Sequence, residues 1–223
     1  MGTWRVSDSF GGYRARLVEH LRSSGVQDLA VLRAFGETPR HVFVPEALRN
    51  RAYDDTSLPI GFGQTISQPG TQAAFLEALE LRGDERVLEV GTGSGYQAAL
   101  LSILVNHVIT VERIPELADR ARHALTEAGI SNVMVVVGDG SLGWKPEAPY
   151  DAILVAAAGP KIPETLLMQL VEGGRLVMPV QGLDGRQQLV RAERSGDTSM
   201  FQTLTEANFV PLLGRHGFET DLR

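Results

Sequence analysis

Gly91, Gly93 and Gly95 fall at alternate positions between two apolar runs, Val87–Val90 with one acid, Glu89, and Ala98–Val105. Glycine has no Cβ, so a turn made of Gly91, Thr92, Gly93, Ser94 and Gly95 lets backbone N–H groups come close to a ligand. A strand feeding a helix through such a turn is the opening unit of a nucleotide-type α/β fold. Two more acids stand where later strands would end: Glu112, 17 residues past Gly95, and Asp139. A carboxylate has two acceptor oxygens and can meet two vicinal hydroxyls, which suits Glu112, with Arg113 beside it, to a ribose. Asp139, followed by Gly140, is placed to accept from an adenine amino group. The chemistry is capture of a cofactor that carries a nucleoside.

The spacing narrows the cofactor. A dinucleotide fingerprint wants glycines at positions one, three and six. Here the sixth position is Tyr96, the third glycine falls at the fifth, and Glu89 stands two residues before the first. That pattern resembles the first motif of S-adenosylmethionine (AdoMet)-dependent methyltransferases rather than a pyrophosphate cradle. It implies AdoMet as cofactor and S-adenosyl-L-homocysteine as product. The turn's N–H groups are expected to face the methionine carboxylate. Glu89 is expected to point inward, bonded to loop N–H groups, either shaping the loop or neutralising the cofactor's ammonium. Each residue alone has a plainer reading. The glycines fit a tight turn, Glu112 with Arg113 a surface ion pair, Asp139 a turn, and Tyr96 packing. The conjunction points to AdoMet.

The elements that must position these residues follow from periodicity. Residues 12–35 read as helix, broken near Ser23-Ser24-Gly25, and Pro39–Pro45 as a short extended piece. Residues 52–70 lack any period yet hold Tyr53, Leu58, Ile60, Phe62 and Ile66, which marks a functional loop. A helix is expected over Gln72–Leu81. Strands at Val87–Val90, Val108–Glu112, Val133–Val137, Tyr150–Ala156 and Arg175–Val180 then alternate with helices, of which Pro115–Ala128 and Glu164–Val171 are the later ones. Such alternation predicts a doubly wound, mostly parallel sheet. Gln187–Arg194 and Phe201–Phe209 read as a closing antiparallel pair.

Composition excludes several classes. The 223 residues carry a net charge of −6, and Lys145 and Lys161 are the only lysines, which argues against a partner held by phosphate neutralisation. There is no cysteine, hence no disulfide, thiolate metal site or cysteine nucleophile. The N-terminus, with Arg5, Asp8, Arg14 and Arg16, lacks a signal-type apolar region, and no run approaches a membrane helix, so a cytoplasmic protein is expected. His20, His41, His107, His123 and His216 show no metal-ligand spacing and read as surface or packing residues; no metal is expected.

The acceptor is indicated further upstream. Leu58-Pro59-Ile60-Gly61-Phe62-Gly63-Gln64-Thr65-Ile66-Ser67-Gln68-Pro69 resembles the signature of protein-L-isoaspartate (D-aspartate) O-methyltransferases. The resemblance extends to Pro39-Arg40 with Phe43-Val44, Leu88–Gln97, Val111-Glu112-Arg113, Gly138-Asp139-Gly140, Tyr150–Ala157, Ile162-Pro163, Leu170–Pro179 and Phe209–Leu212, covering most of residues 25–213. It implies a Rossmann-like methyltransferase fold in a single domain. Residues 1–70 would supply helices and the substrate-side loop, 71–213 the AdoMet-binding core, and 214–223 a tail.

The resemblance also implies methylation of the α-carboxylate of L-isoaspartyl residues in damaged proteins and peptides, leaving D-aspartyl residues open as a second acceptor. The ester then closes to a succinimide, whose hydrolysis returns some normal aspartate. By the same resemblance Ser67 is the active-site serine and Thr65, Ile66 and Gln68 line the cleft. Val210, Pro211 and Leu212 help hold the substrate backbone, and a monomer is expected. One departure stands out. After Pro69 the family carries a bulky residue and a methionine or histidine, whereas this chain has Gly70-Thr71-Gln72. Gln72 falls where some members place a cofactor-contacting side chain. The change leaves open a relative acting on an aspartate of one dedicated partner peptide. Other classes are a non-catalytic AdoMet-binding protein, against which the intact Ser67 block argues, and a small-molecule or RNA methyltransferase, disfavoured by the acidic balance.

Overall fold

The computed structural model describes residues 9–219. Arg5, Asp8 and the final four residues of the expected tail lie outside that range. Two helices, α1 (Gly11–Ser23) and α2 (Leu29–Glu37), open the chain. Asp28 caps α2, its side chain accepting from the Ala30 and Val31 N–H groups. The Pro39–Pro45 piece is not extended: Arg40–Phe43 forms one 3-10 turn. The following aperiodic stretch contains a small antiparallel hairpin, β1 (Leu58–Gly61) and β2 (Gln64–Ile66). Helix α3 (Pro69–Leu79) begins three residues earlier than periodicity suggested, because Pro69 occupies its first turn, where a missing N–H costs nothing.

The α/β part runs β3 (Arg86–Val90), α4 (Tyr96–Leu104), β4 (His107–Glu112), α5 (Pro115–Glu127), β5 (Val133–Val137), β6 (Tyr150–Val155), α6 (Glu164–Leu167), β7 (Leu170–Gln181), β8 (Gln187–Ser195) and β9 (Thr198–Ala207). The α6–β7 unit differs from expectation. α6 is a single turn, and β7 absorbs the rest, including Gly173-Gly174. The sheet order is β5-β4-β3-β6-β7-β8-β9. β5 to β7 run parallel, and β8 and β9 continue the same sheet antiparallel. The fold is therefore the expected α/β one, mostly parallel with a closing antiparallel pair.

The chain winds outward from β3 to β5 and then crosses back to place β6 on the other side of β3. Ligands in such sheets bind at that reversal, outside the carboxyl ends of the strands. One hydrophobic cluster joins Leu21, Phe35, Leu76, Leu100 and Val87, so the N-terminal helices pack on the same face of the sheet as α4. Leu88, Ile109, Tyr150, Ile153 and Leu176 form a second cluster on the opposite face. Among the described residues no helix is long and apolar enough to cross a membrane.

Candidate active site

A cleft opens at the carboxyl ends of β3, β4 and β6, and with its open mouth it encloses about 990 Å³. Val90 to Ser94, Gln97 and Val111 to Ile114 form one wall. Gln64 to Ser67, Gln72, Phe75 and Phe209 to Leu213 form the other. The glycine turn and the Ser67 hairpin thus face one space, although more than twenty residues separate them.

On the cofactor wall, Gly91, Gly93 and Gly95 have φ of 96°, 53° and 86°. These are left-handed conformations that favour glycine. At Gly95 packing adds a second reason, since a Cβ there would lie 3.1 Å from the Ala121 Cβ on α5. The three glycine N–H groups do not point at a ligand. They donate to the Val111 carbonyl (2.9 Å), Glu112 Oε2 (2.8 Å) and the Thr92 carbonyl (2.8 Å). The glycines therefore shape the turn, and their N–H groups hold it together.

The loop N–H bonds expected of one acid are made by the other. Glu112, not Glu89, holds the turn: besides Gly93 it accepts from the Ile114 N–H at 2.9 Å. Each of its oxygens keeps a lone pair for a diol. Glu89 does point inward and is wholly buried, but it makes no bond to a loop N–H. Its Oε2 accepts from the Thr110 hydroxyl beside it on β4, which in turn pairs with Thr92 at 2.6 Å, and its Oε1 has no partner. Burial raises the Glu89 pKa to about 8; Thr110's hydrogen bond opposes the shift and the nearby Glu112 adds to it.

Asp139 is also engaged elsewhere. Its Oδ1 accepts from the Ser141 N–H and hydroxyl at 2.9 and 2.6 Å, and its Oδ2 from the Arg215 N–H at 2.8 Å. Burial would raise its pKa, but these hydrogen bonds outweigh burial and hold it below the usual carboxylate range. It anchors the tail instead of lining the cleft. Its neighbour Gly140 does line the cleft, at a point where a Cβ would meet Val90 Cγ1 at 2.5 Å.

On the facing wall, expected to take the acceptor, Thr65, Ile66 and Ser67 line the cleft, while Gln68 is exposed outside it. Val210, Pro211 and Leu212 reach it because the chain after β9 pairs with the end of β6, with Ala158 opposite Pro211. The Leu212 N–H donates to the Ala158 carbonyl at 2.7 Å. Gln72 is buried in the wall, and Gly70 N–H donates to Asp55 Oδ1 at 2.7 Å. A Cβ on Gly70 would lie 3.1 Å from Asp55 Oδ2, so the departure after Pro69 leaves room for that carboxylate. Of the sequence-predicted site residues, Glu89, Gly95, Gln68 and Asp139 stand outside the cleft lining and the rest are within it.

Gln97 went unassigned in the sequence. It lines the cleft, and its Nε2 is buried without a partner. A glutamine one position into an otherwise apolar helix was the available signal. An orphaned donor, a carboxylate with free lone pairs and the apolar Ile114 and Leu213 are what a ligand bearing a carboxylate, a diol and an aromatic base requires. The residues fit AdoMet.

Fold and cleft define an AdoMet-dependent methyltransferase. The family model described as protein-L-isoaspartate(D-aspartate) O-methyltransferase (PCMT) matches residues 13–217, and the chain belongs to that family. It is 52% identical over 212 residues to protein-L-isoaspartate O-methyltransferase 1 of Rhodopseudomonas palustris, covering 94% of this chain and 86% of that one. The enzyme of Methanoculleus marisnigri is 50% identical over 210 residues, with 94% and 95% covered. A solved protein-L-isoaspartate O-methyltransferase superposes with a TM-score of 0.83 at 32% identity, over 92% of this chain and 67% of that chain. A Plasmodium falciparum protein assigned to the same activity was solved in complex with S-adenosyl-L-homocysteine. It superposes with a TM-score of 0.79 at 26% identity, over 90% and 98% of the two chains.

Proposed function

We propose that Ser67 holds the α-carboxylate of an L-isoaspartyl residue against a cofactor seated on the 91–95 turn, and that the chain esterifies that carboxylate. The observation that carries this reading is the shared cleft, with Gly91 to Ser94 on one wall and Thr65 to Ser67 on the other. When bound, AdoMet supplies an electrophilic methyl group on a sulfonium. A carboxylate with an ordinary pKa near ~4 is already ionised at neutral pH, so the chain needs no general base. Its task is alignment and exclusion of water. A serine hydroxyl suits this task, since it donates to one carboxylate oxygen and leaves the other free to attack. Glu112 and Arg113 are assigned to the ribose side, Gln97, Thr92 and Ser94 to the amino-acid end, and Gly140 to the base. Val210 to Leu212 are assigned to the acceptor's backbone.

The test is a pair of matched peptides, one isoaspartyl and one aspartyl, incubated with AdoMet. A base-labile methyl ester is expected on the first alone. Equal turnover of both would sink the acceptor assignment. Ester on a partner's normal aspartate would favour the dedicated-peptide reading. D-aspartyl peptides extend the same assay. The assignment retains a monomer in the cytoplasm, built as one domain; light scattering and cell fractionation test the first two and cooperative unfolding the third.

A further inference from the structure

Arg40 lies in the 3-10 turn after Pro39 and is wholly buried. Among the described residues no carboxylate lies within ion-pair distance of it, and its Nε has no hydrogen-bond partner. Asp55 acts on it only from beyond ion-pair distance; burying a cation with no paired carboxylate is costly, and an apolar side chain of similar length would fill the space at less cost. Its partners suggest why a guanidinium stands there. Nη2 donates to the Ser67 carbonyl at 2.9 Å, and Nη1 to Gln72 Oε1 at 2.9 Å. The guanidinium carbon lies 4.7 Å from the centroid of Tyr96, the first residue of α4 after the glycine turn. One planar group thus touches the acceptor hairpin, the first turn of α3 and the start of the cofactor helix.

Chemistry fixes the orientation. A guanidinium only donates, so it binds the oxygen of Gln72 and turns the amide NH2 away from itself. Gln72 is 5% exposed, lines the cleft, and its Nε2 has no protein partner among the described residues. We propose that Arg40 is a positioning residue: its fork sets the Ser67 backbone and the Gln72 amide together, so that a hydroxyl and an NH2 meet carboxylate oxygens in the cleft. Two carboxylates enter the cleft, that of the cofactor's amino-acid end and that of the isoaspartyl acceptor. The inference rests on the acceptor reading of Ser67.

Arg40→Met, Ser67→Ala and the double variant form a cycle, read as kcat/KM on the isoaspartyl peptide. If Arg40 acts through Ser67, Arg40→Met lowers kcat/KM about 10–100-fold, and adding Ser67→Ala lowers it less than about threefold further. A folded Arg40→Met enzyme with full activity, or losses that multiply, overturns the proposal. If Ser67→Ala alone changes nothing, the acceptor reading has failed instead. Arg40→Lys covers the case in which the methionine variant does not fold. It keeps the charge but cannot fork between two acceptors. A loss of about tenfold at an unchanged Tm is expected, and full activity refutes the role. Gln72→Leu identifies the carboxylate. A roughly tenfold rise in S-adenosyl-L-homocysteine Kd by calorimetry points to the cofactor, and a rise in peptide KM alone points to the acceptor. No change in either removes Gln72 from the proposal.

Discussion

The two walls of the cleft are built by different means. The cofactor wall is local: each glycine N–H finds its acceptor within the turn or at the adjacent end of β4. The acceptor wall is assembled from afar. Its hairpin is two short strands, and Ser67 is tied down by Arg40, 27 residues earlier. A wall made of sheet ends inherits the sheet's rigidity. A wall made of irregular chain needs a buried polar fastener that reaches it from another part of the fold.

Substitutions can test that contrast. The largest effect is expected from Glu112→Ala, which removes the carboxylate bonds to the Gly93 and Ile114 N–H groups along with the proposed diol acceptor. Hydrogen bonds to a charged group contribute ~1.5–3 kcal/mol each, so S-adenosyl-L-homocysteine Kd should rise about 100-fold or more by calorimetry. A change under about fivefold would mean that the turn holds itself without the acid. Next comes Ser67→Ala, expected to cost about 10–100-fold in kcat/KM on isoaspartyl peptide while cofactor Kd stays within about twofold. Cofactor binding that weakens equally would erase the division between the walls.

Glu89→Gln probes the cofactor wall from behind through pH. The native carboxyl holds its proton up to about pH 8, against 4.5 for the free group. Between those values the unfolded chain ionises and the native one does not, so native stability falls as pH rises from about 5 to about 8. Glutamine imitates the protonated acid and removes that slope. The variant should gain on the order of 1–3 kcal/mol over the parent across this interval, read by urea unfolding at both ends. Parallel stability curves would show that Glu89 is ionised in the native state. The smallest effect is expected from Gly70→Ala. Alanine favours the helix by ~0.8–1 kcal/mol but presses on Asp55, so the net change should stay within about 0.5 kcal/mol by thermal melting. A larger loss would make the Asp55 contact a rigid part of the acceptor wall.

The contrast also explains what was legible in the sequence. Alternating apolar runs and the glycine turn disclosed β3 to β7 and the cofactor class, because period and backbone freedom are local properties. That Glu112 rather than Glu89 holds the turn was hidden, since which acid reaches Gly93 depends on how two strands end beside each other. The hairpin within 52–70 was hidden because strands of four and three residues, with proline and glycine, carry no period. Arg40 carried no signal of burial, because its acceptors, Ser67 and Gln72, lie 27 and 32 positions away. Asp139 looked like a base-binding acid at a strand end. Its hydrogen bonds to Ser141 and Arg215 were hidden, because they depend on where the tail packs, with a Cβ on Gly214 falling within 2.1 Å of the carboxylate.

That anchored tail has a consequence for how the enzyme comes into being. Translation delivers the glycine turn first and Val210 to His216 more than a hundred residues later. A nascent chain therefore carries a part-built cleft, with the glycine turn on β3 and β4 faced only by the Gln64 to Ser67 side of the opposite wall. The Phe209 to Leu213 part of that wall and the clasp from Asp139 to Arg215 form only after β7, β8 and β9 have been made and docked. On the proposed role of Val210 to Leu212, a methyl donor and a damaged peptide meet only on a chain synthesised past that clasp.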